Sequence, residues 1–169
     1  QAYARSGSSL SVSVIAGSGT EMERDYDYTS AVYATDMMGA QEIGRSAGEK
    51  SVRRLNPRKV ETGQVPVVYD PRVSRSIVGH LAGAVSGTAV ARGTTFLKDS
   101  LDQEIFPTSV NIIDNPLRTR GLKSKPFDGE GLATKPVNII ENGRLTTWVM
   151  DLRSARQLGL ESTGYASRG

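Results

Sequence analysis

Hydrophobic and polar positions alternate with a period of two near the start of the chain. Leu10, Val12 and Val14 fall on one face of "SLSVSVIAG" and the serines on the other, the pattern of a strand with one solvated side. A turn at Gly17-Ser18-Gly19 follows, and "TEMERDYDYTSAVYA" alternates again, which predicts antiparallel partners. Its tyrosines and acids are assigned to an exposed sheet face, because charged runs are ordinarily solvated. From Gln41 to Asn56 the spacing becomes helical, with Ile43, Ala47, Val52 and Leu55 as the apolar positions and Pro57 as the terminator.

Further on, Val65 to Tyr69 reads as a short apolar strand. Asp70 is a good N-cap and Pro71 suits a first helical position, so a helix is predicted to start there. Val73, Ile77, Leu81 and Val85 recur every four residues and predict a buried stripe along it. In "PVNIIENGRLTTWVMDL" two alternating runs flank Asn142-Gly143, the dipeptide of a two-residue hairpin turn. "DLRSARQLGL" then reads as a short helix with Gly159 near its C-terminal end. Strands neighbour one another more than they alternate with helices, so the expected class is α+β: an antiparallel sheet with a buried helix and a β-hairpin. The proline-containing "NPRKVETGQVP" is the candidate boundary, dividing the chain into residues 1–60 and 61–169.

Composition narrows the function classes. The 169 residues suffice for a sizeable core. No apolar run approaches the ~18 residues that a membrane span needs. With no cysteine, a disulfide framework, a thiolate metal site and a cysteine nucleophile are excluded, which fits a reducing, cytoplasmic setting. The formal net charge of +3 argues for no particular partner. Arg45, Arg53, Arg54, Arg58 and Lys59 form the most basic stretch, yet no aromatic residues interleave to stack bases, so a nucleic-acid partner is not favoured. Opening on Gln1 and closing on Gly169, the sequence reads as an internal piece of something longer.

Candidate chemistry is sparse. His80 is the only histidine. A zinc hydrolase needs three protein ligands around an open position, and no carboxylate stands on the turns beside His80. Ser76 and Ser86 are near in sequence, but neither lies in the GxSxG setting of a hydrolase nucleophile. Asp128 and Glu130, beside Phe127 in the loop "RGLKSKPFDGEGLAT", are a possible carboxylate pair for acid–base work or for contact with a ligand. Gly79, Gly83 and Gly87 recur along one side of the predicted helix. Each costs about 1 kcal/mol there, so something is expected to approach closely, either a packed element or a partner subunit.

Taken together, "RDYDYT", "NPRKVETGQVPVVYDP", "GHLAGAVSG", "RGTTFLKDSLDQEIFP", "RGLKSKPFDGEGLATKPVNIIENGRL" and "SARQLGLESTGYA" resemble the TldD/PmbA family over nearly the whole chain. The resemblance is to its PmbA (TldE) branch, labelled a modulator of DNA gyrase. It implies a cytoplasmic, heterodimeric metalloprotease in which the TldD-type subunit carries zinc on an HExxxH helix and the PmbA-type subunit completes the chamber. It further implies peptide substrates, including a microcin precursor and an antitoxin. By the same resemblance, residues 1–60 would end an N-terminal or middle α/β part and residues 61–169 would begin a β-rich C-terminal part.

Setting "RGTT" against the RGTS that follows the zinc helix of the catalytic branch places Val78, Gly79 and Gly83 where His, Glu and His stand. A second register keeps His80 as one ligand but puts Arg75 and Ser76 at the first His and the Glu. In both the general base is missing. The resemblance therefore implies no zinc site and no catalytic residue in this chain, with zinc in the partner. Gly79, Gly83, Gly87, Phe127, Asp128 and Glu130 remain as candidate contacts to partner or peptide. The family's PFDDEG loop reads "PFDGEG" here, with Gly129 in place of an aspartate, which weakens the case for acidic contacts in that loop.

Overall fold

The computed structural model describes residues 2–167 and divides into two units: residues 2–66 with 120–122, and residues 67–119 with 123–167. The class is α+β, with helices and antiparallel strands in two small sheets.

The first unit pairs β1 (Ser8–Ala16) with β2 (Glu23–Ala31), antiparallel and in register from Ser8↔Ala31 to Ala16↔Glu23. Helix α1 (Ala40–Arg53) packs on this ribbon. Alternation sends Val12, Val14 and Ala16 to the partly covered face of β1 and leaves Ile15 exposed. On β2 the tyrosine side is the open one: Tyr26 is exposed and stacks on Tyr28, with ring centroids 6.3 Å apart.

The acids of β2 go the other way, contrary to the exposed face assigned to them. Asp25 is buried and Asp27 is partly buried, because α1 carries polar partners to meet them. Ser51 lies on the buried face with Ile43 and Ala47, whereas Val52 is 59% exposed. The Ser51 hydroxyl accepts from the Asp25 amide (3.0 Å) and donates toward the carbonyl of Val14 (2.8 Å). A valine there would leave that buried amide without its acceptor. The helix therefore keeps its i, i+4 stripe but seats a hydroxyl where apolarity alone would have chosen Val52.

Asp27 accepts from Lys50 Nζ (2.7 Å) and Ser46 Oγ (2.5 Å), one turn apart on α1. These bonds, the lysine's first, hold its carboxyl down at about 2. A carboxylate whose pKa is lower folded than unfolded adds stability in full above its unfolded value of about 4. That contribution is lost as pH falls from there through about 2. Asp27→Asn is expected to flatten this acid limb and to cost on the order of 1 kcal/mol at neutral pH, since solvent still reaches the pair. Urea melts of both proteins between pH 2 and 6 check it, and an unchanged acid limb would remove the assignment.

In the second unit, Asp70 Oδ1 accepts from the Arg72 amide (2.8 Å) and starts α2 (Pro71–Ala84), as its sequence predicts. Short helix α3 (Gly87–Ala91) follows. The sheet orders β3 (Ile112–Asp114), β4 (Val137–Glu141) and β5 (Arg144–Leu145), all antiparallel, and α4 (Leu152–Leu158) closes the order. Asn142 (φ 48°) and Gly143 (φ 79°) make the hairpin turn between β4 and β5. Asp151 and Ser154 cap α4 reciprocally, and Gly159 ends it in the left-handed conformation. Those capping bonds, from the Ser154 hydroxyl first, lower the Asp151 carboxyl.

The core of this unit is Val85, Val90, Leu97, Ile139, Ile140, Leu145, Trp148, Met150 and Ala155. Two expectations fail around it. The stripe on α2 is not buried along its length: Val73 and Ile77 are half exposed, Leu81 is partly covered, and only Val85, at the helix C-cap, is fully enclosed. Periodicity decides which residues share a face, whereas burial requires something to lie against it, and only the last turn of α2 leans on the core. Val65 to Tyr69 forms no strand among the described residues. Apolar, β-branched composition favours the extended backbone without supplying a neighbour.

Candidate functional site

His80 lies on the exposed side of α2 and makes no hydrogen bond or ion pair among the described residues. Of the nearby serines, the Ser76 hydroxyl donates to the Val73 carbonyl (2.6 Å), and Ser86 sits at the N-cap position of α3, where its side chain makes no capping bond. No nucleophile–base pair forms at His80. Nor do the described residues bring together any three of His, Asp and Glu that could hold a metal ion. Val78, Gly79 and Gly83 carry no donor atoms, so the residues present on α2 do not fit a zinc ion.

The three helix glycines part company. Gly79 and Gly83 are exposed, and a methyl group added to either would meet nothing within 4 Å. Gly87 is buried at the start of α3, where a Cβ would stand 2.5 Å from Met150 Cγ and 2.9 Å from Ser154 Oγ. Its amide donates to Val149 O (2.8 Å), and the Val149 amide returns to Val85 O (2.9 Å). Close packing within the fold thus explains Gly87. Replacing Gly87 by alanine is expected to lower stability by about 2 kcal/mol, the cost of overpacking, whereas Gly83→Ala should hold or raise it by some tenths. Thermal melts of the two variants decide it, and equal midpoints would refute the distinction.

The loop carboxylates also do separate things. Asp128 is 4% exposed. Its Oδ1 accepts from the amides of Glu130 and Leu132 (both 2.9 Å), and its Oδ2 accepts from the amide of Ala166 (3.0 Å). This carboxylate ties the loop to the chain near residue 166. Glu130 is exposed, with Oε2 accepting from the Leu152 amide (2.9 Å) at the first turn of α4. The two acids accept from different amides, and Phe127 beside them is partly buried, bridging to Ala133. Acid–base work by this pair has no geometric support.

One polar pair escaped the sequence reading. Tyr165 Oη donates to Asp114 Oδ2 (2.7 Å) across 51 residues of chain. Partial burial and then the carboxylate push the Tyr165 hydroxyl above its ordinary value, so it stays a donor. Nothing local marks either residue, because the pairing depends on how β3 and the segment after α4 are brought together.

The α+β chain thus presents a lone, unpartnered histidine and no metal-ligand cluster among its described residues. Its sequence nevertheless matches peptidases. Residues 62–169 match the PmbA/TldA metallopeptidase C-terminal domain and residues 1–55 the central domain of the same family. The chain belongs to the PmbA/TldD metallopeptidase family. Metalloprotease PmbA of Escherichia coli O157:H7 is 42% identical over 166 residues, covering 98% of this chain and 37% of that protein.

A crystal structure from Bacteroides thetaiotaomicron, named for modulation of DNA gyrase, superposes with a TM-score of 0.88 at 29% identity. It matches 95% of this chain and 37% of that one. TldE from Thermococcus kodakarensis shares the fold with a TM-score of 0.77 at 21% identity, over 96% and 37%. The chain thus spans little more than a third of the length of the relatives it matches. No helix among the described residues is long and apolar enough to cross a membrane.

Proposed function

We propose that this chain belongs to a non-catalytic, PmbA-type subunit that works with a zinc-bearing TldD-type subunit to cleave peptides in the cytoplasm. The observation that carries the reading is the donor set of α2. In one register of the resemblance Val78, Gly79 and Gly83 stand where His, Glu and His are expected, and in the other Arg75 and Ser76 replace the first His and the Glu. The one imidazole, His80, is exposed without partners among the described residues. A peptidase zinc needs three protein ligands and a general base for its water, and these residues offer neither. Peptide cleavage would then draw its metal, water and base from outside this chain, in this reading from the TldD-type subunit, with this chain supplying walls and contacts.

The test uses the protein and an HExxxH-bearing family member, separately and mixed. By metal analysis the protein alone should retain less than a tenth of an equivalent of zinc, and it should leave an unfolded peptide intact. The mixture should cleave that peptide, and a chelator should stop it. Chelator-sensitive hydrolysis by this chain alone would sink the proposal. His80→Ala should leave the activity of the mixture within about twofold, and its abolition would point instead to a hydrolase centred on His80.

A further inference from the structure

Between α2 and the β3 side of the second sheet lies a cleft of about 230 Å³. Its walls are apolar, chiefly Val78, Leu81, Ala82, Ile112, Ile139 and Val149, and among the described residues the polar side chains lining it are Asp114 and Tyr165. Tyr165 occupies one oxygen of that carboxylate, Oδ2. The other, Oδ1, has no hydrogen-bond partner among the described residues, and it is not sealed from solvent. A single acid at the edge of an otherwise greasy pocket selects for a particular kind of ligand. The apolar walls reward a branched hydrocarbon body, and the free carboxylate oxygen rewards a cationic hydrogen-bond donor attached to it.

We propose that this cleft binds the free amino terminus of a peptide whose first residue is aliphatic. The side chain lies against Val78, Leu81 and Ile139, and the ammonium bonds to Asp114 Oδ1. Three features favour that occupant. The volume is below that of drug-sized sites, which run from roughly 300 Å³, and suits about one amino-acid residue. A carboxylate makes charge-assisted bonds to an ammonium, whereas an acylated nitrogen offers it only a neutral donor. The Tyr165 hydroxyl, held protonated by its surroundings, holds the carboxylate through Oδ2 and leaves Oδ1 for a second donor. The inference deepens the subunit reading above, since it names which part of a peptide this chain would hold.

The experiment is a methyl and amide NMR titration of the 169-residue chain with three probes: leucinamide, N-acetyl-leucinamide and glycinamide. Leucinamide should saturate and shift signals of Val78, Ile112, Ile139 and Val149. The acetylated probe, lacking the charge, and glycinamide, lacking the hydrocarbon, should each bind at least tenfold more weakly. Asp114→Asn keeps the shape and should weaken leucinamide at least fivefold while leaving the acetylated probe unchanged. Ala82→Trp should block the cleft to all three. Absent shifts with leucinamide, equal affinity for the acetylated probe, or indifference to Asp114→Asn would each overturn the proposal. Proteolysis by the mixed subunits is read separately: cleavage without leucinamide binding fails this inference alone, and binding without cleavage fails the subunit reading alone.

Discussion

Gly143→Ala is expected to destabilise the second unit by about 4 kcal/mol. Two costs combine. Gly143 has φ 79°, a left-handed conformation that an L side chain adopts only with strain, of order 1–3 kcal/mol. A Cβ there would also collide with the carbonyl oxygen of Phe106 and stand 2.8 Å from that of Pro107. These are backbone atoms and cannot swing aside. The same residue is a junction: its amide donates to Val110 O (2.9 Å), and its carbonyl accepts from the amides of Ile105 (2.9 Å) and Phe106 (3.1 Å). Moving the turn to make room would break those bonds and shift Leu145, which is fully buried two residues on. Chemical melts should show the midpoint drop. Asn142→Gly, which relieves the left-handed φ of its exposed neighbour, should by contrast stay within about 1 kcal/mol of the parent. A Gly143→Ala protein as stable as the parent would mean that the hairpin does not sit against residues 106 and 107.

Asp128→Ala ranks second, at about 3 kcal/mol. The substitution removes one acceptor group and orphans three amides at once, those of Glu130, Leu132 and Ala166. Bonds to a charged acceptor are each worth more than neutral ones, and a buried donor left unsatisfied costs roughly 1–3 kcal/mol. Water entering the emptied site would recover part of that loss, which is why the total falls below the sum. Asp128→Asn keeps one oxygen acceptor but sets an NH₂ group against amide donors, so it should recover less than half of the loss. Hydrogen exchange supplies a readout that global stability does not. Amides 130, 132 and 166 should lose protection together in Asp128→Ala, while the α1–β2 amides stay unchanged. Independent behaviour of those three amides would show that Asp128 does not bind them jointly.

Much of the architecture was legible in local pattern. The alternation around Val12 and Val14, the Asp70-Pro71 helix start, the Asn142-Gly143 turn and the Gly159 cap all act within a few residues. Each expresses a backbone preference that neighbours rarely override. The illegible parts were those set by what lies opposite. Val52 looked like a core residue until Ser51 proved to be the one facing Asp25 and Val14. Val73 and Ile77 have a buried helix's spacing and remain half exposed. The "FDGEG" acids suggested paired chemistry, and one of them turned out to be a staple for backbone amides.

By itself the amino-acid sequence determined the β1–β2 ribbon, α1, the start of α2, the β4–β5 turn, α4 and the family to which the chain belongs. Those are matters of residue identity and short-range periodicity. Only the tertiary structure decided that Gly87, unlike Gly79 and Gly83, is pressed between Met150 and Ser154. It alone decided that Asp128 is spent on three amides, and that Asp114 meets Tyr165 beside an apolar cleft. Such pairings join residues tens of positions apart. Their energy depends on burial and approach distance, which the pattern along the chain does not encode.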